Sequence, residues 1–338
     1  MTEFRPLQRA SFGARCFFDD REEAAPQILA QREAILHEFN QAGGLLVLAG
    51  LGAIDREPSL LLRISEIFGP EVENYRETLT AARFFHETVP EILVLSNMPP
   101  CNHPPPPKAE VPDGGFAVQF PTRRNWHTDQ SYRRPPPDVT LLYGSICPPS
   151  DQGQTLFADC TAAYASLPQH LKERIQGLNG IHAPRWIGRR PEDVRNGVEP
   201  RALLPHQLPQ KHPLVRFHPD TGRPALYICE ENQMDFVDGP ISGLEPGPDG
   251  EGAALLRELL SHATQPERVY VHEWQPGDLV IADNRCLLHA ASWYDAGGHD
   301  RLMWRTTVMG NPGAEYAGEA RSWIPSEGHD VMEGMEDA

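Results

Sequence analysis

Residues 269–289 read V-Y-V-H-E-W-Q-P-G-D-L-V-I-A-D-N-R-C-L-L-H. Val269–Trp274 carries β-branched and aromatic residues, Asp278–Ile281 is mostly apolar, and Pro276-Gly277 between them is a turn signal. Both runs are too short for helices and predict strands, with a further turn at Asp283-Asn284. The same signature recurs along the chain. Val139–Ile146 (VTLLYGSI), Leu214–Phe217 and Leu302–Met309 read as strands, and HPDTGRPALYI reads as a hairpin turning at Asp220, Thr221 and Gly222. Further upstream, Leu45–Ala49 and Glu91–Ser96 are candidate strands. Helices are predicted over 26–42, 58–68 and 252–263. In the first of these, Pro26 suits an opening turn, Ile28, Ile35, Leu36 and Phe39 share a face, and Gly43-Gly44 stops the pattern. Many short strands with proline-rich turns and a few early helices predict a mostly β fold with flanking helices, a sandwich or jelly roll.

The chain has 338 residues and a formal net charge of −17. That charge argues against nucleic-acid binding and against attraction to anionic membranes, both of which need a basic surface. An anionic small-molecule partner would need local arginines. Neither a signal-like apolar segment nor a run of about 20 apolar residues is present, and the six cysteines are scattered without a CxxC pair. We read the chain as a cytoplasmic protein with reduced thiols, a single catalytic domain over 1–338 with a core at about 25–310 and an acidic tail at 311–338. A homo-oligomer is compatible with this. The 34 prolines cluster at 99–107 and 205–213 among other places. Segments 98–122 and 185–213 lack periodicity and are candidate lid loops.

Most of the 14 histidines need no functional explanation. His127 stands apart through its company, Asn125-Trp126-His127-Thr128-Asp129. In extended chain, residues i and i+2 point the same way, so His127 and Asp129 would present an imidazole and a carboxylate together. That is two-thirds of a 2-His-1-carboxylate facial triad for non-haem iron(II). His289, after the apolar run Leu287-Leu288, is a candidate third ligand. Arg301 and Arg305 follow it. Their even separation puts both on one side of a strand, roughly 13 Å apart, and two such cations are costly to bury without anions.

The pattern W-H-T-D (126–129), G-Q-T-L-F-A-D (153–159), G-D-L-V-I-A-D-N-R-C-L-L-H (277–289) and R-L-M-W-R-T-T (301–307) resembles the taurine dioxygenase and chlorophenoxyacetate dioxygenase family of Fe(II)- and 2-oxoglutarate-dependent oxygenases. The likeness extends to FGPEVE (68–73) and HPLVRFHPDTGRPALYI (212–228). The resemblance implies a double-stranded β-helix of cupin type with His127, Asp129 and His289 on iron. It implies that Arg301 and Thr155 hold the distal carboxylate of 2-oxoglutarate, and that Arg305 meets an anionic group of the substrate. It also implies the activity: O2 and 2-oxoglutarate are consumed, succinate and CO2 are released, and an unactivated carbon is hydroxylated. The presence of Asp129, rather than a small residue, points to hydroxylation.

The chain departs from the taurine enzyme in the loop after its FG motif. No histidine aligns there; Asn74 and Tyr75 occupy the place of the substrate contact, and His86 lies further on. Arg133 and Arg134, soon after the H-x-D motif, read as solvated loop residues in preference to substrate contacts. Three functions stay open. The first is hydroxylation of a small carboxylate or sulfonate. The second is natural-product tailoring of an amino-acid-derived substrate, and the third is a non-catalytic sensor of 2-oxoglutarate or metal.

Overall fold

The computed structural model describes residues 3–18, 21–78, 84–111, 117–185, 187–188, 190–203, 207–309 and 322. Its strands are β1 (Glu3–Pro6), β2 (Ala14–Phe17), β3 (Leu45–Leu48), β4 (Glu71–Val72), β5 (Leu93–Ser96), β6 (Val139–Ile146), β7 (Thr155–Asp159), β8 (Asn179–His182), β9 (Gln210–Pro213), β10 (Val215–Phe217), β11 (Pro224–Leu226), β12 (Val269–His272), β13 (Leu279–Asp283), β14 (Leu287–Ala291) and β15 (Leu302–Met309). The larger sheet runs β1-β2-β3-β13-β6-β15-β4, with β5 also on β15; a smaller sheet runs β12-β7-β14. Only β2–β3 is parallel in these two sheets. Ribbons β8–β9 and β10–β11 lie apart from them.

The apolar run of β3 explains the layering. A strand covered on both faces reads as continuous hydrophobic residues, and all four residues of β3 are buried. Leu46 and Leu48, with Leu141, Leu279 and Ile281, pack against Ile28, Ile35, Phe39 and Ile64 of the N-terminal helices. Leu45 and Val47, with Val280, Ala282 and Met303, face the opposite core. The cluster on that side takes in Phe157 and Leu287, which share a strand face with His289, and continues through Leu156, Ala158, Leu288 and Ala290 on the other face of the smaller sheet to Leu255, Leu256 and Leu259 of helix Glu251–Ala263. Alternation along each strand thus sends one set of side chains to the helices and the other to the inter-sheet space.

Most expected elements are present within a few residues. The strand at 139–146 and the last strand coincide with β6 and β15, and the hairpin forms as β10–β11 with Gly222 at φ 68°. The helix expected over 26–42 is two, Ala24–Ala30 and Arg32–Gln41, broken at Gln31 where φ is −114°. Segment 185–213 is not structureless: it contains a helical turn, Pro191–Arg195, and β9. Arg190 precedes that turn and its amide donates to the Asp193 carboxylate, which gives the helix its start. Segment 98–122 holds neither helix nor strand among its described residues. The tail at 311–338 lies outside the described residues except for Ser322, whose hydroxyl accepts the Arg134 amide. All six cysteines are free thiols, five of them buried. Among the described residues, no helix is long and apolar enough to cross a membrane.

Candidate metal and anion site

His127 joins the smaller sheet as an added rung beyond β14. Its amide donates to the His289 carbonyl at 3.0 Å, and the His289 amide donates back at 2.7 Å. This exchange sets the two imidazoles side by side, with ring centroids 4.2 Å apart. Two residues on, the Asp129 carboxylate returns to the same side, while Thr128 between them points away and donates to the Asn284 carbonyl. Asp129 Oδ1 lies 3.8 Å from Nε2 of both histidines. One donor atom from each of the three residues falls within 4.8 Å of the others. The extended-chain spacing and the β14 histidine therefore converge on one point between the two sheets.

The protonation states suit a cation. His127 Nδ1 lies 2.6 Å from the Asn125 carbonyl, which can only accept, so the proton sits on Nδ1 and the Nε2 lone pair is free. Burial lowers the pKa of both rings; the neighbouring His127 adds to this at His289, which is pushed down to about 3. Burial alone would raise the Asp129 carboxyl. The Arg305 guanidinium, the two histidines and the Thr140 hydroxyl outweigh it and hold the carboxyl well below its ordinary range. Two neutral imidazoles and one carboxylate are the donor set of a 2-His-1-carboxylate iron site.

Arg305 faces this point from the larger sheet, and Arg301 stands at the start of the same strand. Arg305, on β15, spans to the smaller sheet and donates from Nη1 to Asp129 Oδ1 at 2.9 Å. Tyr75, fully buried, donates to or accepts from Thr307 Oγ1 at 2.7 Å and lies close enough to Arg305 to raise its pKa together with Asp129, against the opposing effect of burial. Arg301 sits one residue before β15. Its amide donates to Asn97 Oδ1 at 2.8 Å, and its guanidinium stacks over Tyr294, 5.7 Å from the ring centroid. Its Nε is buried without a hydrogen-bond partner, and burial lowers its pKa. No carboxylate pairs with it among the described residues. Gly153, at φ 61°, allows the chain to pass close by: a Cβ there would lie 3.6 Å from Arg301 Nε. Thr155, at the start of β7, is buried, and its hydroxyl oxygen accepts the Trp274 indole N–H at 3.0 Å, which leaves its own proton free to donate.

Not every expected residue reaches the site. Both polar atoms of the Asn74 side chain are engaged in the turn that follows it: Oδ1 accepts the Arg76 amide and Nδ2 donates to Glu77. Arg133 is not solvated. It is buried and donates to Glu73 Oε1 at 2.8 Å, while Glu73 Oε2 accepts from Gln130 at 2.8 Å, so this buried carboxylate fastens the turn leaving Asp129. Arg134 donates to the Lys211 carbonyl.

Residues with no sequence signal of their own also surround the site. Thr140 on β6 and Asn284 contact Asp129 from the larger sheet and the β13–β14 turn. His103, inside the proline run, is tied by its amide to the Ser96 carbonyl at 2.7 Å, and the positive fields of Arg301 and Arg305 add to burial in lowering its pKa. A second compact group, His218, Asp283 and Cys286, is buried nearby. There Arg285 already occupies both Asp283 oxygens, at 2.8 Å and 2.7 Å, and His218 adds a third donor at 2.8 Å, so the carboxylate is spent inside the protein.

The chain matches the family model "Taurine catabolism dioxygenase TauD, TfdA family" over residues 3–307. It is 36% identical over 215 residues to an alpha-ketoglutarate-dependent 2,4-dichlorophenoxyacetate dioxygenase of Burkholderia sp. (strain RASC), covering 62% of this chain and 64% of that protein. The match thus spans less than two thirds of that curated relative's length. A pentalenolactone F synthase of Streptomyces arenae is 30% identical over 288 residues, 79% of this chain and 88% of the relative. Among solved structures, AAD-2 in complex with Mn(II) and N-oxalylglycine superposes with a TM-score of 0.63 at 26% identity, covering 92% of this chain and 98% of that one. A putative alpha-ketoglutarate-dependent taurine dioxygenase from Burkholderia xenovorans gives 0.62 at 27% identity, covering 92% and 93%. With the model matched across nearly the whole described chain, this protein belongs to the TauD/TfdA family.

Proposed function

We propose that this chain is an Fe(II)- and 2-oxoglutarate-dependent dioxygenase that hydroxylates a C–H bond of a small anionic molecule and releases succinate and CO2. One observation carries the reading: a neutral His–carboxylate–His donor set shares the fold with an arginine, Arg301, whose buried Nε meets no acceptor and which no described carboxylate pairs. His127, Asp129 and His289 would hold the metal. When bound, Fe(II) with 2-oxoglutarate and O2 supplies oxidising chemistry that no side chain provides.

The chain's own residues bind, orient and shield. Arg301 offers a planar fork to the distal carboxylate of 2-oxoglutarate, and Thr155 adds its free hydroxyl proton. Arg305, backed by Tyr75, reads the anionic group of the substrate. Segments 98–122 and 185–213 act as lids, and the two facing sheets serve as the double-stranded β-helix frame. Relatives named for phenoxyacetate, phenoxypropionate and sulfate-ester substrates support an anionic substrate class. The tailoring reading keeps a specific support: of the two curated relatives named above, the pentalenolactone F synthase is matched over the greater length.

The test is anaerobic addition of Fe(II) and 2-oxoglutarate to the purified protein. A weak visible charge-transfer band is expected. Phenoxyacetates, alkyl sulfates, sulfonates and amino-acid-derived acids are then screened by shifts of that band and by succinate release on admitting O2. Folded protein that gives no band sinks the proposal.

A further inference from the structure

Asp129 has two carboxylate oxygens in different surroundings. Oδ1 faces the two Nε2 atoms at 3.8 Å each and accepts Arg305 Nη1 at 2.9 Å from a further side. Oδ2 points back into the larger sheet and accepts the Thr140 hydroxyl at 2.6 Å. The direction of that bond is fixed. Thr140 Oγ1 itself accepts Asn284 Nδ2–H at 3.0 Å, so its single proton goes to Asp129. The Asn284 amide is in turn oriented, because its Oδ1 accepts the Asp129 amide at 3.3 Å. The Asn284 backbone amide donates to the Asp138 carbonyl at 2.8 Å. Thr128, Asp129, Thr140 and Asn284 are all buried.

We propose that Thr140 and Asn284 are positioning residues that restrict Asp129 to a single oxygen, Oδ1, toward the metal; this rests on the metal reading above. A six-coordinate ion held by two imidazoles and one carboxylate oxygen keeps three positions open. Those three suit a chelating co-substrate and O2. If the carboxylate could rotate to offer both oxygens, one of the three would close. Satisfying Oδ2 inside a buried chain of directed hydrogen bonds opposes that rotation, since turning Oδ2 to the ion would strand the Thr140 proton and loosen Asn284.

Two measurements test this, with Mn(II) and Co(II) as probes and without turnover. The first uses wild-type protein. Infrared difference spectra with 13C-aspartate labelling, taken on Mn(II) binding, are expected to show the wide splitting of carboxylate stretches typical of one-oxygen coordination. A narrow, two-oxygen splitting overturns the proposal. The second compares variants. Thr140→Val should weaken Mn(II) binding about 10–100-fold and change the Co(II) visible spectrum, and Thr140→Ser should restore both. Thr140→Val with affinity and spectrum unchanged overturns the proposal while the metal reading stands. Failure of wild-type protein to bind Fe(II), Mn(II) or Co(II) at all overturns both.

Discussion

The two halves of the candidate site are built on opposite principles. On the ligand side, the carboxylates and the His127 ring are answered from within the protein. Asp129 takes donors from Arg305 and Thr140, His127 is oriented by Asn125, and Glu73 fastens the following turn through Gln130 and Arg133. On the far side, Arg301 has its amide fixed by Asn97 and its plane stacked on Tyr294, yet its buried Nε meets no acceptor. A buried cation without an anion costs stability, so the fold tolerates it only where something outside the chain completes it. The contrast separates what the protein must hold rigid beforehand from what it leaves for a small molecule to finish.

The largest expected effect comes from the rigid half. Asp129→Ala removes one of the three proposed ligands, and turnover should fall by more than the ~100-fold that loss of a ligand's outer partner can cost. It also strands Arg305, and breaking such a buried pair costs about 3–5 kcal/mol. Asp129→Asn keeps an acceptor for Arg305, so the gap between the two variants in thermal melts isolates the ion pair. Retained turnover in either variant would break the comparison. If 2-oxoglutarate affinity survives in Asp129→Asn through Arg301 while wild-type protein lacks activity, the sensor reading gains.

The far side should respond with the reverse sign. Arg301→Leu removes an uncompensated buried cation, so protein without 2-oxoglutarate should melt at the same temperature as wild type or higher. Affinity for 2-oxoglutarate should drop about 10–100-fold, the 1.5–3 kcal/mol of hydrogen bonds to a charged group. Calorimetric titration and melting curves read both. A fall of several degrees in the ligand-free melt would mean that Arg301 has a protein partner after all, and the two halves would no longer differ.

This asymmetry bears on what a single sequence can reveal. The strands at 139–146 and 302–309 were legible because apolar alternation is local, and the H-x-D face was legible because i and i+2 share a side in any extended chain. The partners of those residues were not. Glu73 and Arg133 are 60 positions apart, Thr140 and Asn284 lie 144 apart, and neither pair leaves a periodic trace. Arg133 therefore read as solvated although it is buried. Asn74 looked placed for substrate because position after a motif says nothing of where a side chain turns; here it is used by the adjacent amide. β7, only five residues long and wholly dependent on β12 and β14 for its pairing, was visible as a motif and not as a strand. His103 was hidden by the prolines around it.

The smallest effect comes from the one carboxylate in the rigid half that burial wins. Glu230 lies against the ligand loop: its Oε2 accepts the Trp126 amide at 3.1 Å, and its own amide donates to the Trp126 carbonyl at 2.8 Å. Its countercharge, Arg124, approaches Oε1 to 2.8 Å but is half exposed and shared with Glu231 at 3.5 Å. Burial therefore pushes the Glu230 carboxyl up to about 7, with Arg124 and the Trp126 amide only partly opposing. Asp129, three residues after Trp126, moves the other way because the Arg305 guanidinium bonds it directly. A raised folded pKa makes the protonated acid the stabilised form. That contribution is complete below the ordinary carboxyl range and is lost as pH rises through about 7. The neutral acid still accepts the Trp126 N–H, so lowering the pH does not release the loop. The melting temperature should thus decline by about 2 °C between pH 6 and 8, and Glu230→Gln, which stays neutral, should flatten that slope. A slope that Glu230→Gln leaves intact would assign it to other groups, and a slope of opposite sign would show that Arg124 compensates Glu230 as fully as Arg305 compensates Asp129.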